Sequence, residues 1–124
     1  MVYKAYKDNK WVGTAVKCTS MGFNGDVVVM VGFDNSSQLI DYVVLQQAET
    51  PGLGTKMVDW FKDKANIKGK KMDITHPLTV DKDGGEVQAI TAATISSRAF
   101  LEAVNNAYRI ANGHDATTSA TDVE

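Results

Sequence analysis

The chain predicts an α+β fold, mainly an antiparallel twisted sheet with two principal helices packed on it, and three observations carry that prediction. The first half alternates apolar and polar residues or runs in β-branched ones. The four-residue connection at 34–37 is too short for a parallel crossover. The second half carries two apolar stripes at helical spacing.

The elements follow in order. Residues 2–6 read as a strand, Asp8 and Asn9 as a turn, and Trp11, Gly13, Ala15 and Lys17 alternate with Val12, Thr14, Val16 and Cys18 to complete a hairpin. Gly22-Phe23-Asn24-Gly25 is a glycine-punctuated loop, and Val27-Val28-Val29-Met30-Val31 is β-branched enough for a buried strand. Residues 34–37 turn the chain into a strand over 39–45. Glu49-Thr50-Pro51-Gly52-Leu53-Gly54 is a rigid loop, because Pro51 fixes one backbone angle and the glycines permit close approach. A helix is predicted over 55–65, where Met57, Trp60, Phe61 and Lys64 share a face. Residues 66–71 form a basic, solvated connector. Leu78-Thr79-Val80 predicts a short strand, Asp83-Gly84-Gly85 a turn, and 87–90 an extended piece. The last helix places Phe100, Val104, Ala107 and Ala111 on one face, flanked by Leu101 and Tyr108, and Gly113 stops it.

With 124 residues and 44% hydrophobic content, one domain over 1–113 is expected, followed by a disordered tail over 114–124 with almost no apolar residues. Thirteen basic against fifteen acidic residues leave a net charge of -2, which supports neither nucleic acid nor anionic lipid as a partner. Cys18 is the only cysteine, so an intrachain disulfide and a thiolate metal cluster are excluded. No apolar run approaches the roughly 20 residues that span a bilayer, and no secretion signal is present. Met1, Val2 and Tyr3 enter the first strand as at the boundary of an excised domain.

Common ligand motifs fail. Gly52-Leu53-Gly54-Thr55-Lys56 lacks the spacing and the ending of a nucleotide phosphate loop, and Met57 stands where a dinucleotide fingerprint needs its third glycine. His76 and His114 have no metal-binding partner at helical spacing. What remains is a pair of loops that each lead into a helix. Thr91-Ala92-Ala93-Thr94-Ile95-Ser96-Ser97 places small residues and hydroxyls at a helix start, where free N–H groups and the dipole favour a phosphate at Thr94. On local spacing alone the simpler reading of the same residues is an ordinary helix cap. The Pro-Gly-Leu-Gly loop offers flat backbone and a leucine to a planar ring, with Phe23, Tyr42 and Trp60 as potential ring neighbours; core packing is the simpler role for at least two of these three.

The chain resembles the FMN-binding domain shared by the G subunit of the Rnf electron-transport complex and the C subunit of the sodium-translocating NADH:quinone reductase. Three signatures carry the resemblance in the family's order: Gly22-Phe23-Asn24-Gly25 with Val29-Met30-Val31-Gly32-Phe33-Asp34, then Glu49-Thr50-Pro51-Gly52-Leu53-Gly54, then Ile90-Thr91-Ala92-Ala93-Thr94-Ile95-Ser96-Ser97. The resemblance implies FMN joined by a phosphoester to Thr94, attached by a flavin transferase that uses FAD as donor. It also implies an electron relay, with no reaction of its own, within a membrane ion-translocating redox complex. The other subunits would be its partners. In the family an N-terminal transmembrane helix, absent from this chain, holds the domain on the extracytoplasmic face of the bacterial cytoplasmic membrane.

On that resemblance Thr91, Ala92, Ala93 and Ser97 surround the phosphate. Glu49, Thr50, Gly52, Leu53 and Gly54 form a ring-side loop, and Thr55 and Lys56 add polar contacts. Two positions depart from the family motif: Gln88 stands where an aspartate begins it, and Ala92 replaces its glycine. If that glycine serves a positive backbone angle, alanine costs about 1 kcal/mol there; if it serves close approach, alanine fits. A noncovalent flavin- or phosphate-binding sensory module is the alternative function, and a structural domain of a membrane assembly is a third.

Overall fold

The computed structural model describes residues 2–36, 38–73, 75–113 and 120–123. Strands β1 (Val2–Lys7), β2 (Lys10–Met21), β3 (Asp26–Asp34) and β4 (Leu39–Gln46) form an antiparallel sheet in sequence order. Asp8 and Asn9, at φ 52 and 65, make the tight turn between β1 and β2, as expected where two left-handed residues match the twist of a hairpin. Val16 lies opposite Val31, which lies opposite Tyr42, so one sheet face gathers Val16, Cys18, Val27, Val29, Val31, Phe33, Leu39 and Tyr42.

Helix α2 (Thr94–Ala111) lies across β2 and β3. Its buried stripe includes Phe100, Leu101, Val104, Ala107 and Tyr108, the residues that the helical period selects. Phe100 is the centre of the core: Phe61 stacks on it at a centroid distance of 4.3 Å, and Tyr42 meets it edge-on at 4.6 Å. The Tyr42 hydroxyl donates to the Met57 carbonyl at 2.6 Å, tying β4 to the segment above it.

The first helix is much shorter than its apolar stripe predicts. A 3-10 turn at Gly54–Lys56 leads into α1 (Met57–Trp60), and the chain then proceeds through successive turns. Met57, Trp60 and Phe61 are buried as expected, but the Ile67 N–H bonds the Phe61 carbonyl at 2.9 Å and brings Ile67 into the core. A continuous helix over 55–65 would carry the chain away from that contact, and a segment this short has little helical stability of its own to oppose it.

The strand expected at Leu78-Thr79-Val80 reduces to a single parallel bridge between Val80 and Val87. The Asn105 side chain takes the place of a neighbouring strand, accepting from the Leu78 N–H at 2.9 Å and donating to the Leu78 carbonyl at 2.8 Å. The disorder expected over 114–124 lies outside the described residues at 114–119 and 124; at Ala120–Val123 it is corrected, because the backbone there forms β5 beside β2. The reason is an open edge. β1 pairs β2 only as far as Val16, leaving Cys18–Ser20 without a neighbour on that side until β5 supplies one. Among the described residues, no helix is long and apolar enough to cross a membrane.

Candidate functional site

The start of α2 is held by its own loop. Ser97, fully buried, accepts from the Ile90 N–H and donates to the Ala93 carbonyl, both at 2.9 Å, while the Ala93 N–H returns to the Ile90 carbonyl at 3.0 Å. This closed loop forces Ala92 to φ 60. Of the two readings of the family glycine, the positive backbone angle is the one realised, so alanine carries its strain here.

The capping reading is not realised. The residue preceding the helix is Ala93, and no side chain caps α2. The first intrahelical bond runs from the Ser97 N–H to the Ala93 carbonyl, so the N–H groups ahead of it have no acceptor within the helix. Thr94 is the first helical residue, half-buried, with Thr91 and Ala92 exposed before it. An anion at this end meets backbone donors and the positive end of an eighteen-residue helix.

The Glu49-Thr50-Pro51-Gly52-Leu53-Gly54 loop is folded by its backbone. The Thr50 carbonyl accepts from the Leu53 N–H at 3.0 Å and the Thr55 N–H at 3.4 Å, while the Thr55 hydroxyl accepts from the Gly52 N–H at 3.0 Å. Gly52 sits at φ 77 in open space, whereas Gly54 is buried for contact: a Cβ there would lie 2.5 Å from both Glu49 Cβ and Ser96 Oγ. Leu53 is half-buried and packs against the core, and Lys56 is exposed on the 3-10 turn.

All three sequence signatures meet at one carboxylate. Glu49, only 3% exposed, accepts from the Phe23 N–H at 2.7 Å, the Asn24 N–H at 2.8 Å and the Ser96 hydroxyl at 2.6 Å. Gly22 makes room for it, since a Cβ there would stand 2.6 Å from Glu49 Oε1. Burial opposes ionisation of this group, but the bonds from Ser96, Asn24 and Phe23 outweigh it and hold the carboxyl below the ordinary glutamate range. Asn24 Nδ2 adds a bond to the Thr50 hydroxyl at 3.3 Å.

The two loops therefore converge, with Glu49, Gly54 and Ser96 at their junction and Thr94 two residues before Ser96 on α2. Of the three potential ring neighbours, Tyr42 and Trp60 are core residues, while Phe23 is 62% exposed. Trp60 Nε1–H donates to the Gln88 carbonyl at 2.9 Å, so position 88 is fixed through its backbone. Ser96 and the Phe23 and Asn24 amides are site members that sequence reasoning did not select. Ser96 stands one helical turn before Phe100, so its place on the core stripe is the one signal that it needs a buried polar partner.

His76 is exposed and meets Asp73, and no group of side chains suited to a metal ion occurs among the described residues. A groove of about 380 Å³ lies further along α2, between Leu78 and Val80 on one side and Leu101 on the other. None of the predicted site residues lines it, and Arg98 and Asp83 at its wall are joined by paired bonds of 2.6 and 2.7 Å.

The fold and site together define a small α+β domain with an uncapped helix start beside a buried carboxylate junction. Residues 22–109 match the model of the FMN-binding domain, and the chain belongs to that family, whose cofactor is FMN. It is 36% identical over 111 residues to the G subunit of the ion-translocating oxidoreductase complex of Escherichia coli K12, covering 86% of this chain and 53% of that protein. It is likewise 36% identical over 109 residues to the G subunit of the proton-translocating ferredoxin:NAD(+) oxidoreductase complex of Clostridium ljungdahlii, covering 85% and 56%. The G subunit of the Vibrio vulnificus ion-translocating complex is 36% identical over 99 residues, covering 75% and 46%. The chain spans about half the length of these curated relatives.

Proposed function

We propose that this domain carries FMN by a phosphoester to Thr94 and relays electrons within a membrane ion-translocating complex of the Rnf type. The observation that carries the reading is the uncapped start of α2, with Thr94 as its first residue and Thr91 and Ala92 exposed ahead of it. The residues fit the cofactor. The helix start and the backbone of Ala92 and Ala93 suit the phosphate, and the exposed Phe23 and half-buried Leu53 suit a flat aromatic ring. When bound, the isoalloxazine supplies the electron-carrying chemistry. The chain's own residues position it: Thr94 tethers, α2 balances phosphate charge, and the Gly22 and Pro51 loops orient the ring and limit its contact with water.

Attachment requires a flavin transferase and FAD. The Thr94 oxygen bonds to the FMN phosphorus, the FAD pyrophosphate bond breaks, AMP leaves, and the hydroxyl proton is lost to solvent or AMP. The partners are the other subunits of the complex, whose place in the names of the relatives supports the reading. The extracytoplasmic face of the membrane, with an anchoring helix outside this sequence, is the proposed location.

A noncovalent FMN module is the second reading, and Gln88 and the strained Ala92 are what favour it. Co-expression with a flavin transferase followed by a denaturing gel separates them. Flavin fluorescence that migrates with the wild-type chain and is absent from Thr94→Ala supports the tether. Fluorescence only at the dye front supports the second reading.

A further inference from the structure

We propose that Glu49 acts toward FMN as a positioning residue, through Ser96 and the Phe23–Asn24 backbone, and is not itself a cofactor ligand. The inference rests on the FMN reading and assigns the group that sets the site's shape. Three facts support it. The Glu49 side chain is almost wholly buried, and both its oxygens are already occupied by donors from the protein. Those donors come from separate segments, the Gly22 loop and the first turn of α2, which lie 72 and more residues apart in sequence. Gly22 and Gly54 each lack the Cβ that would strike Glu49 or its partner, so the chain leaves space for this junction and little else.

The consequence is geometric. Phe23 rides on an amide held by Glu49 Oε1, and the same oxygen holds the hydroxyl of Ser96, two residues beyond Thr94. One carboxylate oxygen thus links the exposed aromatic surface to the rotation of α2 about its axis. Moving or neutralising that oxygen shifts the ring shelf relative to the phosphate end even though no cofactor contact is removed. Bonds to an ionised acceptor are the stronger kind, which suits a carboxylate for a three-point junction.

The test has a flavin-free arm and a flavin arm. In the flavin-free protein, Glu49→Gln turns an acceptor oxygen into a donor, and hydrogen exchange at the Phe23 and Asn24 amides should accelerate at least tenfold while amides in the centre of α2 keep wild-type rates. Ser96→Ala should accelerate the same amides less, and Ser96→Thr should restore them. In the flavin arm, with free FMN as the probe, Glu49→Gln and Ser96→Ala should each change the visible circular dichroism of the bound flavin and weaken binding by about tenfold, and the double variant should be no worse than Glu49→Gln. Wild-type exchange at Phe23 and Asn24 in Glu49→Gln, or additive effects in the double variant, would overturn the proposal. Failure of the wild type to take up FMN both as the free cofactor and beside a flavin transferase, with the exchange results as expected, would instead strike the FMN reading and leave the junction standing.

Discussion

The Ser97 hydroxyl stands 2.9 Å from the Ile90 N–H and 2.9 Å from the Ala93 carbonyl, bridging the loop that delivers Thr94 to the head of α2. Both partners are otherwise buried, so the hydroxyl satisfies a donor and an acceptor that water cannot reach. Ser97→Ala should cost about 1–3 kcal/mol by orphaning the Ile90 N–H. Urea unfolding checks this, and a cost near zero would mean that the loop is not held as described.

Ala92 sits inside that loop at φ 60, where an L side chain is strained. Ala92→Gly should therefore stabilise the domain by up to about 1 kcal/mol, the gain from relieved strain being partly offset by the freer unfolded chain. Thermal unfolding should show a midpoint a few degrees higher. The same change restores the family glycine, so the yield of flavin attachment should rise rather than fall.

The two glycines of the Pro-Gly-Leu-Gly loop should respond differently. A Cβ at Gly54 meets Glu49 and Ser96 at 2.5 Å, so Gly54→Ala should cost about 2 kcal/mol or more and disturb the junction. Gly52 is open around its Cβ position and only its φ of 77 resists substitution, so Gly52→Ala should cost about 1 kcal/mol. Equal costs would contradict the distinction between close approach and backbone angle.

The pH dependence follows from Glu49. Its carboxyl is held below the ordinary value of 4.5 in the folded state, so its contribution is complete above that pH and is lost as pH falls through the folded value. The stability advantage of wild type over Glu49→Gln should be full at about pH 6 and shrink by about pH 3. Denaturant titrations at both conditions measure it; an unchanged gap would remove Glu49 as the responsible group.

Cys18 provides an independent check on the core. It is fully buried on β2, and burial pushes its thiol up to about 11. A thiol reagent at neutral pH should leave the native domain unmodified and react promptly once denaturant unfolds it. Rapid native labelling would contradict the packing of α2 on β2.

Much of the sheet was legible because alternation and short connections survive any packing: Thr14, Val16, Cys18 and Ser20 face inward as their period requires. The long helix was legible for the same reason. The short one was not, because Met57, Trp60 and Phe61 bury themselves equally well in one turn of helix followed by tight turns, and it is Ile67, remote from the stripe, that decides. At the candidate site, the loops and Thr94 were selected by residue type. The Glu49 to Ser96 bond was not, since it joins residues 47 apart and their meeting depends on the sheet placing both. Residues 88 and 92 divide similarly: both departures from the family motif are visible as letters, but only the backbone reveals which of them carries strain.

The central claim is that Thr94 carries the cofactor, and intact mass after expression beside a flavin transferase tests it most directly. The wild type should gain one FMN less one water and Thr94→Ala should gain nothing, with the modification mapping to the peptide that holds residue 94. An unmodified mass in the wild type, with flavin released on denaturation, would contradict it.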